Sequence, residues 1–65
     1  MKRADLIKEV EARARRKGLD CHLHRQGGSH EVWKVNDKSV PIPRHREVND
    51  YTAKQILKQV DEALG

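Results

Sequence analysis

The chain has 65 residues, of which 14 are lysine or arginine and 10 are aspartate or glutamate, so its formal net charge is +4. A domain of this size builds only a small core, which leaves no room for a deep substrate cavity, and any functional site is expected on an open surface or in a shallow groove. The basic balance favours a polyanionic partner, of which nucleic acid is the commonest, although a solvated basic surface gives the same count.

The chain is expected to form a single domain over residues 1–65, since no repeat, linker or low-complexity tract interrupts it. No apolar run approaches the ~20 residues that cross a membrane, and the first residues lack the apolar region of a signal peptide. The single cysteine, Cys21, rules out an intramolecular disulfide and fits a reducing compartment. These features predict a cytoplasmic protein without membrane contact.

The first predicted element is a helix over residues 4–17. Its apolar residues recur with helical spacing and form one stripe: Leu6, Ile7, Val10 and Ala14. Basic residues 15–17 suit the last turn, where cations complement the helix dipole. Gly18 is expected to end the helix in the left-handed conformation.

Three strands are predicted next, over residues 20–25, 30–35 and 38–42. The "QGGS" segment, residues 26–29, is expected to turn the chain between the first two strands. Asn36 and Asp37 predict a two-residue hairpin turn, because both tolerate positive φ. Pro41 lacks an N–H, so the third strand is expected at an edge of the sheet.

The first strand carries three side chains of metal-binding type. Strict alternation places Cys21 and Leu23 on one face and His22 and His24 on the other. Two histidines on one face fall short of a typical zinc set. The sequence therefore predicts no metal and no cofactor, and Cys21 is interpreted as a small core residue.

The last predicted element is a helix over residues 53–64. Thr52 and Gln55 match a capping box, and an apolar stripe follows: Ala53, Ile56, Leu57, Val60 and Leu64. The whole order is α-β-β-β-α. We expect an α+β fold in which two helices cover one face of a three-stranded antiparallel sheet and the other face stays open.

Three motifs stand in a fixed order along this framework: "GSH" at residues 28–30, the Pro43-x-His45 segment, and a helical motif. The helical motif comprises Thr52, Ala53, Ile56, Leu57 and Lys58. With the element order, they resemble the HicA family, the toxins of HicAB toxin–antitoxin pairs, over nearly the whole chain. The resemblance implies a fold like the double-stranded RNA-binding domain, cleavage of mRNA and a HicB-type antitoxin that covers the active site.

The resemblance also implies roles for individual residues. The histidine of the "GSH" motif is catalytic in the family, and that role falls on His30. The position before the motif glycine is often basic in the family and is Gly27 here, so Arg25 or Lys34 is expected to supply the phosphate contact. RNA contacts are further expected from the motif and from the segment after the third strand: Gly28, Ser29, Arg44 and His45.

The chemistry of RNA cleavage fits a lone histidine. A ribose 2′-OH attacks the adjacent phosphate when a group with a pKa near 6.5 takes or gives protons, and nearby cations offset the added charge. Alternation puts His30, Val32 and Lys34 on one face of the second strand. Trp33 then points towards the helices, or, in the opposite orientation, forms a platform for base stacking.

Two other functions agree with the same residues. In the first, the protein is a non-catalytic RNA-binding module that recognises shape and 2′-OH groups, and His30 has no catalytic role. In the second, it is a protein-interaction domain whose open sheet face is covered by a partner. In both, "GGS" is an ordinary glycine hairpin. For His45 a solvated loop position, a substrate contact and an antitoxin contact all stay open.

Overall fold

The computed structural model describes residues 1–65 and contains two helices and three strands: α1 (Arg3–Arg16), β1 (Cys21–Gly27), β2 (His30–Val35), β3 (Lys38–Pro43) and α2 (Asp50–Leu64). The strands pair antiparallel in the order β1-β2-β3. The predicted α+β fold of order α-β-β-β-α is confirmed, and it is consistent with a fold like the double-stranded RNA-binding domain. Neither helix combines the length and apolar character needed to span a bilayer.

The core lies between the sheet and the two helices. Its buried residues come from both helices, from one face of β2 and β3 and from the segment before α2: Leu6, Val10, Ala14, Val35, Val40, Ile42, Val48, Ala53, Ile56, Val60, Ala63 and Leu64. Cys21 and Trp33 pack against its margin. The prediction that Trp33 points towards the helices is confirmed, and the base-stacking orientation is wrong.

A Schellman motif ends α1 where the sequence predicts a stop. Gly18 has a φ of +68° and donates from its N–H to the Arg15 carbonyl, while the Leu19 N–H reaches the Ala14 carbonyl at 3.0 Å. Leu19 then packs against the core. These two bonds satisfy carbonyls that the helix end would otherwise leave free.

The start of α2 corrects the predicted capping box. The helix begins at Asp50 and its N-cap is Asn49, whose side-chain oxygen accepts from the Thr52 N–H at 2.8 Å. Thr52 therefore lies inside the first turn and supplies a backbone donor. An Asn cap with β-region backbone performs the same role three residues earlier.

The turn between β1 and β2 is shorter than predicted. Gly27 already pairs with His30, and Gln26 pairs with Glu31, so only Gly28 and Ser29 form the loop. Gly28 has the positive φ, +48°. The prediction that residues 26–29 form the turn is therefore wrong for Gln26 and Gly27, which end β1.

A β-bulge interrupts the alternation of β1. Leu23 pairs with Trp33 but Arg25 pairs with Val32, so His24 is an extra residue in β1. The strict alternation predicted for the first strand is therefore interrupted after Leu23. The bulge also turns Arg25 away from the Leu23 face, which is the core face, and onto the open face of the sheet.

The other turn and the third strand agree with the sequence. Asn36 alone adopts positive φ, 56°, in the turn between β2 and β3. β3 lies at the edge of the sheet and contains Pro41, whose missing N–H costs no ladder bond at an outer position. β2 is the central strand, so its backbone is held on both sides.

Candidate functional site at the glycine-rich hairpin

His30 stands at the tip of the β1–β2 hairpin with its side chain exposed. Its backbone pairs with Gly27 on one side and with Pro43 on the other. The Ser29 hydroxyl oxygen lies 3.2 Å from the imidazole Nδ1. Nε2 makes no hydrogen bond within the protein, so the ring presents a free nitrogen to solvent from a fixed backbone position.

The open face of the sheet carries the predicted basic residues. Residues paired across an antiparallel ladder point to the same face, so the pairs Gly27–His30, Arg25–Val32 and His22–Lys34 place three cation-forming side chains on the face of His30. No aspartate or glutamate of the strands points there, because the only carboxylate in β1, β2 or β3 belongs to Glu31, on the helix side. The ionisable strand residues of the open face are therefore all of the cation-forming type.

The register sets how far these groups lie from the imidazole. Arg25 is diagonal to His30 across the ladder, a relation that places Cβ atoms roughly 7–8 Å apart, within reach of a long side chain. Lys34 lies four residues along β2, roughly 13 Å of strand rise. Arg25 is thus a diagonal neighbour of His30, and Lys34 lies farther from His30 on the same face.

Arg44 is attached to the hairpin loop although it follows β3. Its N–H donates to the Ser29 carbonyl at 3.0 Å, and its guanidinium Nη1 donates to the Gly28 carbonyl at 3.3 Å. Both loop carbonyls are thereby occupied, and a second guanidinium is held beside His30. His45 is exposed and makes no hydrogen bond to these residues, so the structure brings Arg44 but not His45 to the hairpin.

Directly behind His30, on the opposite face of β2, lies Glu31, which the sequence reasoning missed. It is 9% exposed and forms an ion pair with Arg3. It also accepts from the Trp33 indole N–H at 3.2 Å and from the Gln26 amide at 3.5 Å. A signal was available in the sequence: Glu31 alternates with Trp33 and Val35, which are positions of the core face.

Arg3 extends this network to the end of β3. Its Nε donates to the Pro43 carbonyl at 2.8 Å, so one side chain joins the first residue of α1 to β2 and β3. Burial alone raises the pKa of Glu31, but hydrogen bonds from Trp33 and Arg3, with the charges of Arg3 and Arg44, outweigh it and hold the pKa below its usual value. Glu31 is thus an ionised carboxylate under the site.

The remaining histidines of β1 differ from His30. The Nδ1 of His22 lies 2.7 Å from an Asp20 carboxylate oxygen, so its ring is paired with an anion. His24 is the exposed residue of the bulge. No group of three or more His, Cys, Asp and Glu side chains is placed to hold a metal ion.

The fold and the site define the class of protein: a small α+β domain with cation-forming side chains on its open sheet face and a histidine at the rim of that face. A family model described as the HicA toxin of bacterial toxin–antitoxin systems matches residues 7–61. The chain belongs to the HicA toxin family. Membership supports a toxin role and implies an antitoxin partner. No curated protein and no solved structure matches the chain.

Proposed function

We propose that this protein acts as a toxin by cleaving mRNA as a metal-independent endoribonuclease, which inhibits translation, and that His30 is its catalytic residue. The observation that carries the proposal is the exposed imidazole of His30, with a free Nε2, at the rim of a face on which no strand residue carries a carboxylate. Near His30 this face offers a polyanion the cations of Arg25 and Arg44.

The reaction uses a nucleophile that RNA supplies. The 2′-oxygen attacks the adjacent phosphorus, its proton leaves to a base, and the bond from phosphorus to the 5′-oxygen breaks as that oxygen gains a proton. The products are a 2′,3′-cyclic phosphate and a 5′-hydroxyl. A histidine takes or gives one of these protons near neutral pH and contributes about 10² to 10⁴-fold.

Ser29 sets the state of the ring. When Nδ1 carries the proton and donates to the Ser29 hydroxyl, Nε2 is left as the free base. When the ring is doubly protonated, the same nitrogen is an acid. One nitrogen therefore serves either proton transfer, and the serine keeps the ring in a single orientation in both.

We propose that Arg25, Arg44 and the loop hold the reacting phosphate and that Lys34, roughly 13 Å of strand rise from His30, holds a neighbouring phosphate. Arg25 and Lys34 lie on the face of His30, and Arg44 is fixed to the loop carbonyls. Their charges offset the negative charge that the phosphorus gains in the transition state. Gly28 and Ser29 have no bulky side chain, and nothing lies within 4 Å of a Cβ built at Gly28, so phosphate oxygens reach the loop from solvent.

A HicB-type antitoxin is proposed to inhibit the toxin by covering this face. An acidic surface complements the basic side chains electrostatically and excludes RNA from His30. His45, exposed on the segment beyond Arg44, is proposed as a peripheral contact for RNA.

The test is cleavage of a long single-stranded mRNA in the presence of EDTA by the wild type, His30→Ala and His24→Ala. His24→Ala is the matched control, because it removes an exposed imidazole from the same sheet. We expect the wild type and the control to cut and to leave a 2′,3′-cyclic phosphate, and His30→Ala to bind RNA without cutting. Binding by all three proteins without cleavage by any would refute the endoribonuclease and leave an RNA-binding module.

A further inference from the structure

A groove lies beside the hairpin, between the start of α1 and the segment that follows β3. Its volume is about 690 Å³, and its lining residues are Lys2, Arg3, Ala4, Arg44, Arg46 and Glu47. This volume is within the roughly 300–1,000 Å³ of ligand clefts, but such clefts are mostly apolar. Here Ala4 is the only apolar residue, so the groove suits a charged ligand.

The charges of the groove do not cancel internally. Arg3 is paired with Glu31, and the Glu47 carboxylate lies 3.4 Å from the amino group of Met1. The side chains of Lys2 and Arg46 are exposed and form no ion pair or hydrogen bond. Arg44 donates only to uncharged carbonyls, so three cations remain without a counter-charge.

The backbone holds two of these cations in place. The Arg3 N–H donates to the Arg46 carbonyl at 2.9 Å, and Lys2 forms an antiparallel bridge with Glu47. Lys2 and Arg46 therefore stand on neighbouring chain segments that are hydrogen-bonded to each other. Both residues line the groove, and neither side chain is held there by an ion pair.

The groove begins where the hairpin ends. Arg44 lines it and at the same time bonds the Gly28 carbonyl in the loop. Pro43, one residue earlier, pairs with His30 and accepts from Arg3. We propose that this groove is a second phosphate-binding subsite, which holds the RNA backbone next to the phosphate at His30. The inference rests on the proposed function for the identity of its ligand.

The experiment measures binding of a single-stranded 2′-O-methyl oligonucleotide, which lacks the attacking hydroxyl and is not cleaved, as a function of salt. The groove variant is Lys2→Gln with Arg46→Gln. The charge-matched control is Arg15→Gln with Lys17→Gln, two exposed cations without ion pairs at the other end of α1, roughly 20 Å away. Circular dichroism checks that both fold.

Log affinity falls as log salt rises, and each phosphate contact on a single strand contributes about 0.7 to the magnitude of that slope. Because the groove variant lacks two cations, we expect its slope to be smaller in magnitude by about 1.4. The control is expected to keep the slope of the wild type. Equal slopes for the two double variants would overturn the proposal. If the groove variant does not fold, Lys2→Gln alone is expected to lower the slope by about 0.7.

Three further results separate this inference from its alternatives. Hexaglutamate that binds the wild type and loses affinity for the groove variant, while the RNA slope is unchanged, would assign the groove to an acidic protein and overturn the proposal. If cleavage depends on His30 and the groove variant keeps the slope of the wild type, the subsite is refuted and the proposed function is not. A lowered slope without any cleavage supports the subsite and refutes the endoribonuclease.

Discussion

Replacing Glu31 with alanine tests whether the buried carboxylate holds together the structure under His30. Glu31 is 9% exposed and accepts from Arg3, Trp33 and Gln26. Its loss leaves the Arg3 guanidinium, whose side chain is 22% exposed, without its counter-charge. The indole N–H of Trp33 loses its acceptor as well. Of the two side-chain links from Arg3 to the strands, only the bond to the Pro43 carbonyl then remains.

Removing one partner of a buried ion pair costs about 3–5 kcal/mol. Because Arg3 keeps partial access to water, we expect Glu31→Ala to lower the free energy of unfolding by about 2–3 kcal/mol. A chain of 65 residues has a total stability of about 3–10 kcal/mol. The variant is therefore expected to lose a large fraction of its stability and to show a clearly lower urea midpoint.

The assay is urea unfolding followed by the fluorescence of Trp33, the single tryptophan, and by circular dichroism. Glu9→Ala is the control, because Glu9 also pairs with an arginine, Arg13, but its side chain is 33% exposed and Arg13 keeps a second partner in Asp61. Pairs with more access to solvent contribute less. A midpoint for Glu31→Ala equal to that of Glu9→Ala would refute the assignment of a structural role to the buried network.

The same network predicts how stability depends on pH. The folded state holds the pKa of Glu31 below its usual value, so the unfolded chain binds the proton first as the pH falls. The stabilisation is complete above the unfolded pKa, about 4.3, and is lost as the pH falls from there through the folded pKa. We expect the wild type to lose more stability than Glu31→Gln between about pH 5 and about pH 3, and equal losses would contradict the ionised pair.

Two smaller changes test the local geometry by the same urea assay. Asn49→Ala removes the side-chain acceptor of the α2 N-cap and is expected to cost about 1 kcal/mol; a larger loss from Thr52→Ala would restore the capping box. Gly28→Ala forces an L side chain into a φ of +48° and is expected to cost about 1–2 kcal/mol. Gly27 lies at a paired strand position, so Gly27→Ala is expected to lower the free energy of unfolding by less than Gly28→Ala does. Equal losses for the two variants would contradict the two-residue loop.

The sequence predicts those features that depend on local periodicity. The bounds of β2 and the stop at Gly18 follow from alternation and from glycine chemistry, and the structure agrees. The face of Trp33 does not follow, because alternation alone allows either orientation; the structure packs Trp33 against the core. The bulge at His24 does not follow either, because no apolar residue comes after it in β1 to reveal the shift in alternation. Without the bulge, Arg25 would lie on the core face with Leu23.

The hairpin itself explains why two glycines and a serine precede the histidine. Gly28 at positive φ closes a turn of two residues, and His30 pairs with Gly27 on one side and with Pro43 on the other. Acid–base catalysis needs a group held in a fixed position relative to its substrate. His30 combines a backbone held within the central strand with a side chain in open solvent. Glu31, the next residue, points to the other face, so alternation alone keeps the one carboxylate of the sheet away from the proposed path of the RNA.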